Sequence, residues 1–257
     1  MGETFLKLFE PVNIGKVTLK NRIAMAPMAI TGLVNPDGSL TQRAIDYYVE
    51  RAKGGVGLII SGVFKAENDV EPLLYLDSPL FSQVALPSFA ELSEAVHSFG
   101  TKIFVQLTVG NGRVAVPATV RGQPVSASAT PNYWNPALTC KELSTEEVER
   151  LVKAFGEAAM IAKMAGIDGI ELHGHEGYLF DQFTTAIWNR RVDKFGGDLK
   201  GRLTLPIETL NIIKKTVGKD FPVQYRFGLK HYIKGINAKG ILPGEEYKEA
   251  GRDIDEG

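Results

Sequence analysis

Short apolar runs alternate along the chain with longer stretches of helical period, the pattern of βα units that build a parallel sheet. Five runs have strand length: Arg22 to Met28, Gly57 to Gly62, Lys102 to Leu107, Gly169 to Gly174 and Pro222 to Phe227. Most are flanked by Gly or Pro, which bound strands. The clearest helix covers Glu146 to Ala165, where Val148, Leu151, Val152, Phe155, Ala159 and Ala162 fall on one stripe. Ser144 with Glu147 three residues on forms a capping-box pattern, and Gly166 supplies a left-handed terminator. Helices are also predicted over Gln42 to Lys53, Ser88 to Phe99 and Arg202 to Val217, each ending near a glycine ahead of the next strand.

This order predicts an α/β fold of the (β/α)8 barrel type. The length of 257 residues is typical of a whole barrel, yet the count of units stops at about five. Only 29 residues follow Gly228, and three further units of about 30 residues each need roughly three times that. The expectation is therefore a single, incomplete barrel domain over residues 1–257, whose charged end, Glu245 to Gly257, reads as the start of a helix. Unclosed sheet edges invite association, so a homo-oligomer is among the expected partners, and an inactive fragment is the reading that competes with catalysis. The stretch Gly110 to Leu143, with Pro117, Pro124, Pro131 and Pro136, reads as a long loop after the third strand. Loops at that end of barrel strands are where active sites are built.

Charge and composition narrow the function. Lys and Arg number 29 against 30 Asp and Glu, a net charge of -1, which leaves no basic field for nucleic acid. No stretch of about 18 apolar residues occurs, and Glu3 and Lys7 interrupt the N-terminus, so no membrane partner is expected and a cytoplasmic location fits best. Cys140 is the lone cysteine; it excludes an internal disulfide framework and a Cys-rich zinc or iron–sulfur site within these residues.

The segment Gly110 to Ala115 matches the dinucleotide pattern G-x-G-x-x-A, but Pro117 and Pro124 break the helix that such a site must open. The densest polar cluster, Glu171 to Tyr178, lies at the end of the fourth strand, where barrel side chains reach the catalytic mouth. His173 and His175 share strand parity. As metal ligands they lack a third partner in the window, so no metal is expected; they serve equally as donors to a substrate carbonyl or as satisfied loop imidazoles. The Tyr178 phenol suits proton donation beside an activated carbonyl, or a core cap with its hydroxyl in water. Gln106 and Arg226 interrupt apolar strands, where an unpaired polar group is costly. Each faces a polar ligand at the mouth, unless Arg226 is held in an internal salt bridge. A barrel lyase using a Schiff-base lysine has little support, because Lys230 lies just past the fifth strand and no strand carries Lys near its end.

Four segments together resemble the old yellow enzyme family of NADH:flavin oxidoreductases. They are Leu8 to Gly15 with Leu19 to Met28, Tyr47 to Gly62, Gly166 to Phe183 running into Asn189 to Gly197, and Pro222 to Phe227. The resemblance implies FMN as cofactor and NAD(P)H as hydride donor. It implies that Pro27, Met28 and Ala29 back the flavin ring, that Gly62, Gln106 and Arg226 bond its polar edge, and that Tyr178 is the proton donor. His173 matches the first residue of the pair that grips the substrate carbonyl. Glu176 stands at the second position, where many members carry His or Asn, and His175 precedes it. Ile187, Trp188, Asn189 and Arg190 align with a substrate-lining stretch. The versions at Glu176 to Leu179 and Val109 to Arg113 look like the 2,4-dienoyl-CoA reductase and bile-acid reductase branch. That implies a bulky enone or enoyl thioester, including a steroid derivative, with an iron–sulfur cluster and FAD only in a longer form.

Overall fold

In a computed structural model, residues 5–30, 32–73, 79–237, 241–242, 244–255 and 257 are described. An antiparallel hairpin of β1 (Val12–Ile14) and β2 (Val17–Leu19) precedes the barrel strands. These are β3 (Ala24–Met25), β4 (Leu58–Lys65), β5 (Lys102–Thr108), β8 (Gly169–Gly174) and β9 (Val223–Phe227), all parallel and in the order β3-β4-β5-β8-β9. Within the long loop after β5, β6 (Val125–Ser126) pairs with β7 (Lys141–Glu142). The helices are α1 (Gln42–Lys53), α2 (Leu86–His97), α3 (Thr145–Met164), α4 (Leu179–Thr184), α5 (Leu199–Arg202) and α6 (Thr204–Val217). This is the curled parallel sheet of a β/α barrel, with five strands among the described residues.

Side chains alternate across this sheet, and each face has its own chemistry. Ile59, Ile103, Val105, Leu107, Ile170 and Leu172 point outward and join α1, α2, α3 and α6 in the main core. Leu58, Ile60 and Phe104 point inward and meet Leu19, with Val12, Ile14 and Val17 packed on them, in a second cluster. The hairpin thus plugs the barrel at the N-terminal ends of its strands. Ascending the inward face, the residues turn polar: Gln106, Glu171, His173, Gln224 and Arg226. One end of the inner face is sealed with hydrocarbon and the other is furnished for a polar ligand.

Local rules account for most element boundaries. The Ser144–Glu147 capping box forms, and Gly166 takes φ of 73° after α3. The first strand is two residues instead of the predicted seven, because Pro27 has no N–H to extend the ladder. The second runs on to Lys65, with its register broken between Ile60 and Val63. The charged end is no helix among its described residues. There Arg252, 4% exposed, turns inward to Asp181.

Candidate active site

The register of the strands stacks the inward polar residues in two tiers. In the lower one Gln106, Glu171 and Gln224 lie side by side. Gln106 Nε2 donates to Glu171 Oε1 at 2.7 Å, and Gln224 Nε2 donates to the other carboxylate oxygen. Glu171, 5% exposed, is the acceptor that keeps both amides oriented. Two residues further along, His173 is opposite Arg226. Arg226 is half-buried, and its guanidinium makes no hydrogen bond or ion pair with any described residue. An internal salt bridge for Arg226 is therefore absent among them, leaving its charge for a ligand.

His173 stacks on His175 with centroids 4.6 Å apart, and the Tyr178 ring stands edge-on to His173 at 4.7 Å. Nδ1 of His173 and Nε2 of His175 are buried without hydrogen-bond partners. Burial, followed by the charge of a protonated His175, lowers the His173 pKa to about 4, so the imidazole is neutral at pH 7 and donates one N–H. Since the unfolded pKa near 6.5 is higher, the unfolded chain binds more protons between these values and stability is lost as pH falls from about 6.5 to about 4. The loss attributable to His173 is expected to reach roughly 3 kcal/mol, read as acid-induced lowering of the urea midpoint that His173→Gln removes.

The structure supplies the third metal-type ligand that the sequence pattern lacked. Ligand atoms of His173, His175 and Glu176 lie within 4.8 Å of one another, although the Glu176 carboxylate reaches outward, 60% exposed, and touches His175 Nδ1 at 3.3 Å. Glu176 also holds φ of 63°, a left-handed conformation uncommon outside Gly and Asn. The strained turn lifts Tyr178 to the N-cap of α4, where its ring lines a cavity of about 350 Å³.

A buried hydrogen-bond frame fixes this turn against the loop after β5. Glu71, fully buried, accepts the N–H groups of Asn111 and Gly112 at 2.7 Å each. Burial raises its pKa, while the equally buried Lys65 ammonium 3.8 Å away opposes that rise. Gln182 Nε2 donates to Gly177 O at 2.6 Å and Asn111 O at 3.2 Å, and its Oε1 accepts from Arg113 N and Ser126 Oγ. Gln182→Leu strands these buried groups and is expected to cost roughly 3 kcal/mol in chemical denaturation. Neither Glu71 nor Gln182 has a sequence signal for this role, because the loop amides and carbonyl at 111–113 that they hold lie about 40 and 70 residues away.

Of the predicted substrate-lining stretch, Trp188 alone lines the cavity. Asn189 holds the loop: its Nδ2 donates to the Phe183 and Phe195 carbonyls at 2.6 and 2.7 Å. Arg190 reaches the Ile187 and Ala129 carbonyls and is otherwise exposed, while Ile187 packs outside the cavity. His231, which does line it, is fully engaged: Nδ1 accepts from Arg252 N at 2.7 Å and Nε2 faces the Asp181 carboxylate at 3.1 Å.

The remaining flavin-facing candidates lie at β4 and just past β3. A Cβ on Gly62 would come within 2.5 Å of Met28 O, so only glycine lets β4 pass so close to Pro27, Met28 and Ala29. Met28 and Ala29 are exposed. The Gly62 N–H is taken by Tyr48 Oη at 2.8 Å, so Gly62 contributes this close approach and not a free donor.

The NADH:flavin oxidoreductase / NADH oxidase family profile matches residues 7–239. The chain belongs to this family. It is 47% identical to cinnamate reductase of Clostridium sporogenes over all of its own length and 39% of that protein's. To NADH oxidase of Thermoanaerobacter brockii it is 42% identical, covering 98% of this chain and 38% of the relative. The chain thus spans about two fifths of these curated relatives. Among solved structures, 2-naphthoyl-CoA reductase in complex with 2-naphthoyl-CoA superposes with a TM-score of 0.81 at 26% identity, over 98% of this chain and 38% of that one. The old yellow enzyme homologue of Zymomonas mobilis gives 0.77 at 30% identity, over 89% and 65%. This is a family of flavin-dependent oxidoreductases.

The residues present suit the family's FMN. An uncompensated guanidinium stands at the inner face, oriented amides flank it, and a glycine cradle brings the Pro27–Ala29 backbone to the mouth.

Proposed function

We propose that this protein reduces a carbon–carbon double bond conjugated to a carbonyl, in an enone, enoate or enoyl thioester, at the expense of NAD(P)H. The observation that carries the reading is the contact of the His173 imidazole with Tyr178, beside the Arg226 guanidinium that is its in-register neighbour on the next strand. FMN, when bound, supplies a carrier that accepts hydride from NAD(P)H and returns it to the β-carbon.

The chain's own residues do the rest. Pro27, Met28 and Ala29 would back the ring; Gln106 and Arg226 would bond its polar edge. His173 would donate an N–H to the substrate carbonyl oxygen, where negative charge gathers as hydride arrives. Tyr178 would deliver the proton to the α-carbon from the far side. His175 and Glu176 would border the substrate at the second gripping position, with Trp188 beneath it.

Naming relatives as cinnamate reductase and a naphthoyl-CoA reductase supports a conjugated, ring-bearing acceptor. Steroid and bile-acid enones belong to the same proposal, as do a cytoplasmic location and self-association. No helix among the described residues is long and apolar enough to cross a membrane. A Cys-ligated iron–sulfur cluster would need residues other than these, whose sole cysteine is Cys140.

The test is anaerobic NADH and NADPH oxidation by FMN-loaded protein with 2-cyclohexenone, cinnamate, an enoyl-CoA and a steroid enone. Acceptor-dependent oxidation with the saturated product is expected for at least one; none across the set would overturn the reading.

A further inference from the structure

Arg113 lines the cavity that also holds Tyr178, and it is 2% exposed. Its Nη2 donates to Ile236 O at 2.9 Å and to Asn237 Oδ1, while Nε is buried with no hydrogen-bond partner. It forms no ion pair with a carboxylate among the described residues. The guanidinium sits 5.4 Å from the Trp188 ring centroid and 5.9 Å from that of Tyr133, and burial pulls its pKa down. A desolvated cation with one orphan donor, held among aromatic faces, is poorly compensated unless an anion joins it.

The backbone beneath is fixed. The Glu71 carboxylate caps Asn111 and Gly112, and Gln182 Oε1 accepts the Arg113 N–H at 3.2 Å. With Nη2 taken by Ile236 O and Asn237 Oδ1, the donors left for an anion are Nε and Nη1, held in one geometry, and a carboxylate accepts well from a guanidinium. Trp188, Trp134 and Tyr133 supply flat apolar walls, so an aromatic ring and an acid are accommodated together.

We propose that Arg113 is the specificity-determining residue of the substrate site and selects ligands carrying a free carboxylate next to an aromatic or alkenyl group. This rests on the ene-reduction reading and narrows it from carbonyl acceptors in general to anionic ones.

The experiment compares trans-cinnamate with cinnamamide, a neutral near-isostere, by calorimetric titration of the protein with FMN added. Cinnamate is expected to bind about tenfold or more tightly than the amide, the effect of losing one partner of a buried charge pair. Arg113→Gln should bring the ratio to about one, and Arg113→Lys should keep a reduced preference. Equal binding by the wild type, or an undiminished ratio in Arg113→Gln, overturns the proposal. Should the variant not fold, a cinnamate complex decides: carboxylate oxygens about 3 Å from the guanidinium are expected, and a carboxylate seated elsewhere refutes it. Reduction of 2-cyclohexenone separates the two readings. If it proceeds while the acid preference is missing, only the role of Arg113 falls; if the preference is present and no acceptor is reduced, ene reduction falls and the anion site remains.

Discussion

Tyr178→Phe is expected to slow reduction of a bound enone by a factor of about 10² to 10⁴ while leaving flavin reduction by NAD(P)H within about twofold, because general-acid catalysis is removed from one half-reaction only. The geometry makes the separation sharp. The Tyr178 ring stays edge-on to His173, a contact that Phe preserves, and the backbone at 178 is fixed by its N–H to His175 O and its carbonyl to Gln182 N. The substitution removes the acidic proton while keeping the ring and its contact with His173. Stopped-flow traces of the two half-reactions provide the measurement, and equal slowing of both would sink the proton-donor role. Solvent deuterium offers a second reading: label entering the α-carbon depends on Tyr178, whereas the β-position takes its hydrogen from the nicotinamide.

Strand parity explains why the inward placement of Gln106 and Arg226 was legible. A polar residue inside an apolar strand has no inexpensive place except the ligand-facing side, and Gln106 and Arg226 both occupy the inner face. The same rule reaches Glu171 and Gln224, in register with Gln106, once the inward positions are read as a tier; taken singly, neither residue stands out. Other features had no signal in the chain. The two-residue first strand follows from Pro27, but the hairpin that plugs the barrel depends on Leu19 meeting Phe104, far away in sequence. Short α4 and α5, six and four residues long, are below the length at which periodicity is visible. Arg113 belongs to a glycine-rich segment whose resemblance to a dinucleotide loop obscured its burial. Asn189 and Arg190 show the converse: polar residues in a lining loop satisfy the loop's own carbonyls as readily as they meet a substrate, and sequence does not separate the two.

Replacing Arg226 by Met is expected to lower the reduction potential of bound FMN, or to weaken its binding when the potential is held by other groups less well. The sign follows from charge: a cation beside the ring stabilises the anionic reduced form, so its removal disfavours reduction. At about 4 Å and an effective dielectric near 20 the interaction is worth about 4 kcal/mol, on the order of 90 mV for a two-electron couple. Half-burial of Arg226 makes that an upper bound. Arg226→Lys keeps the charge but loses the planar fork and should recover part of the potential. The same charge helps depress the His173 pKa, so Arg226→Met should also raise that pKa, followed by NMR of the imidazole without any flavin. A potential unchanged in flavin-loaded Arg226→Met refutes the contact. The two readouts divide the possibilities: a shifted His173 with an unshifted flavin leaves Arg226 facing its histidine alone, whereas movement of both ties the cation, the carbonyl donor and the ring to one inward tier of the barrel.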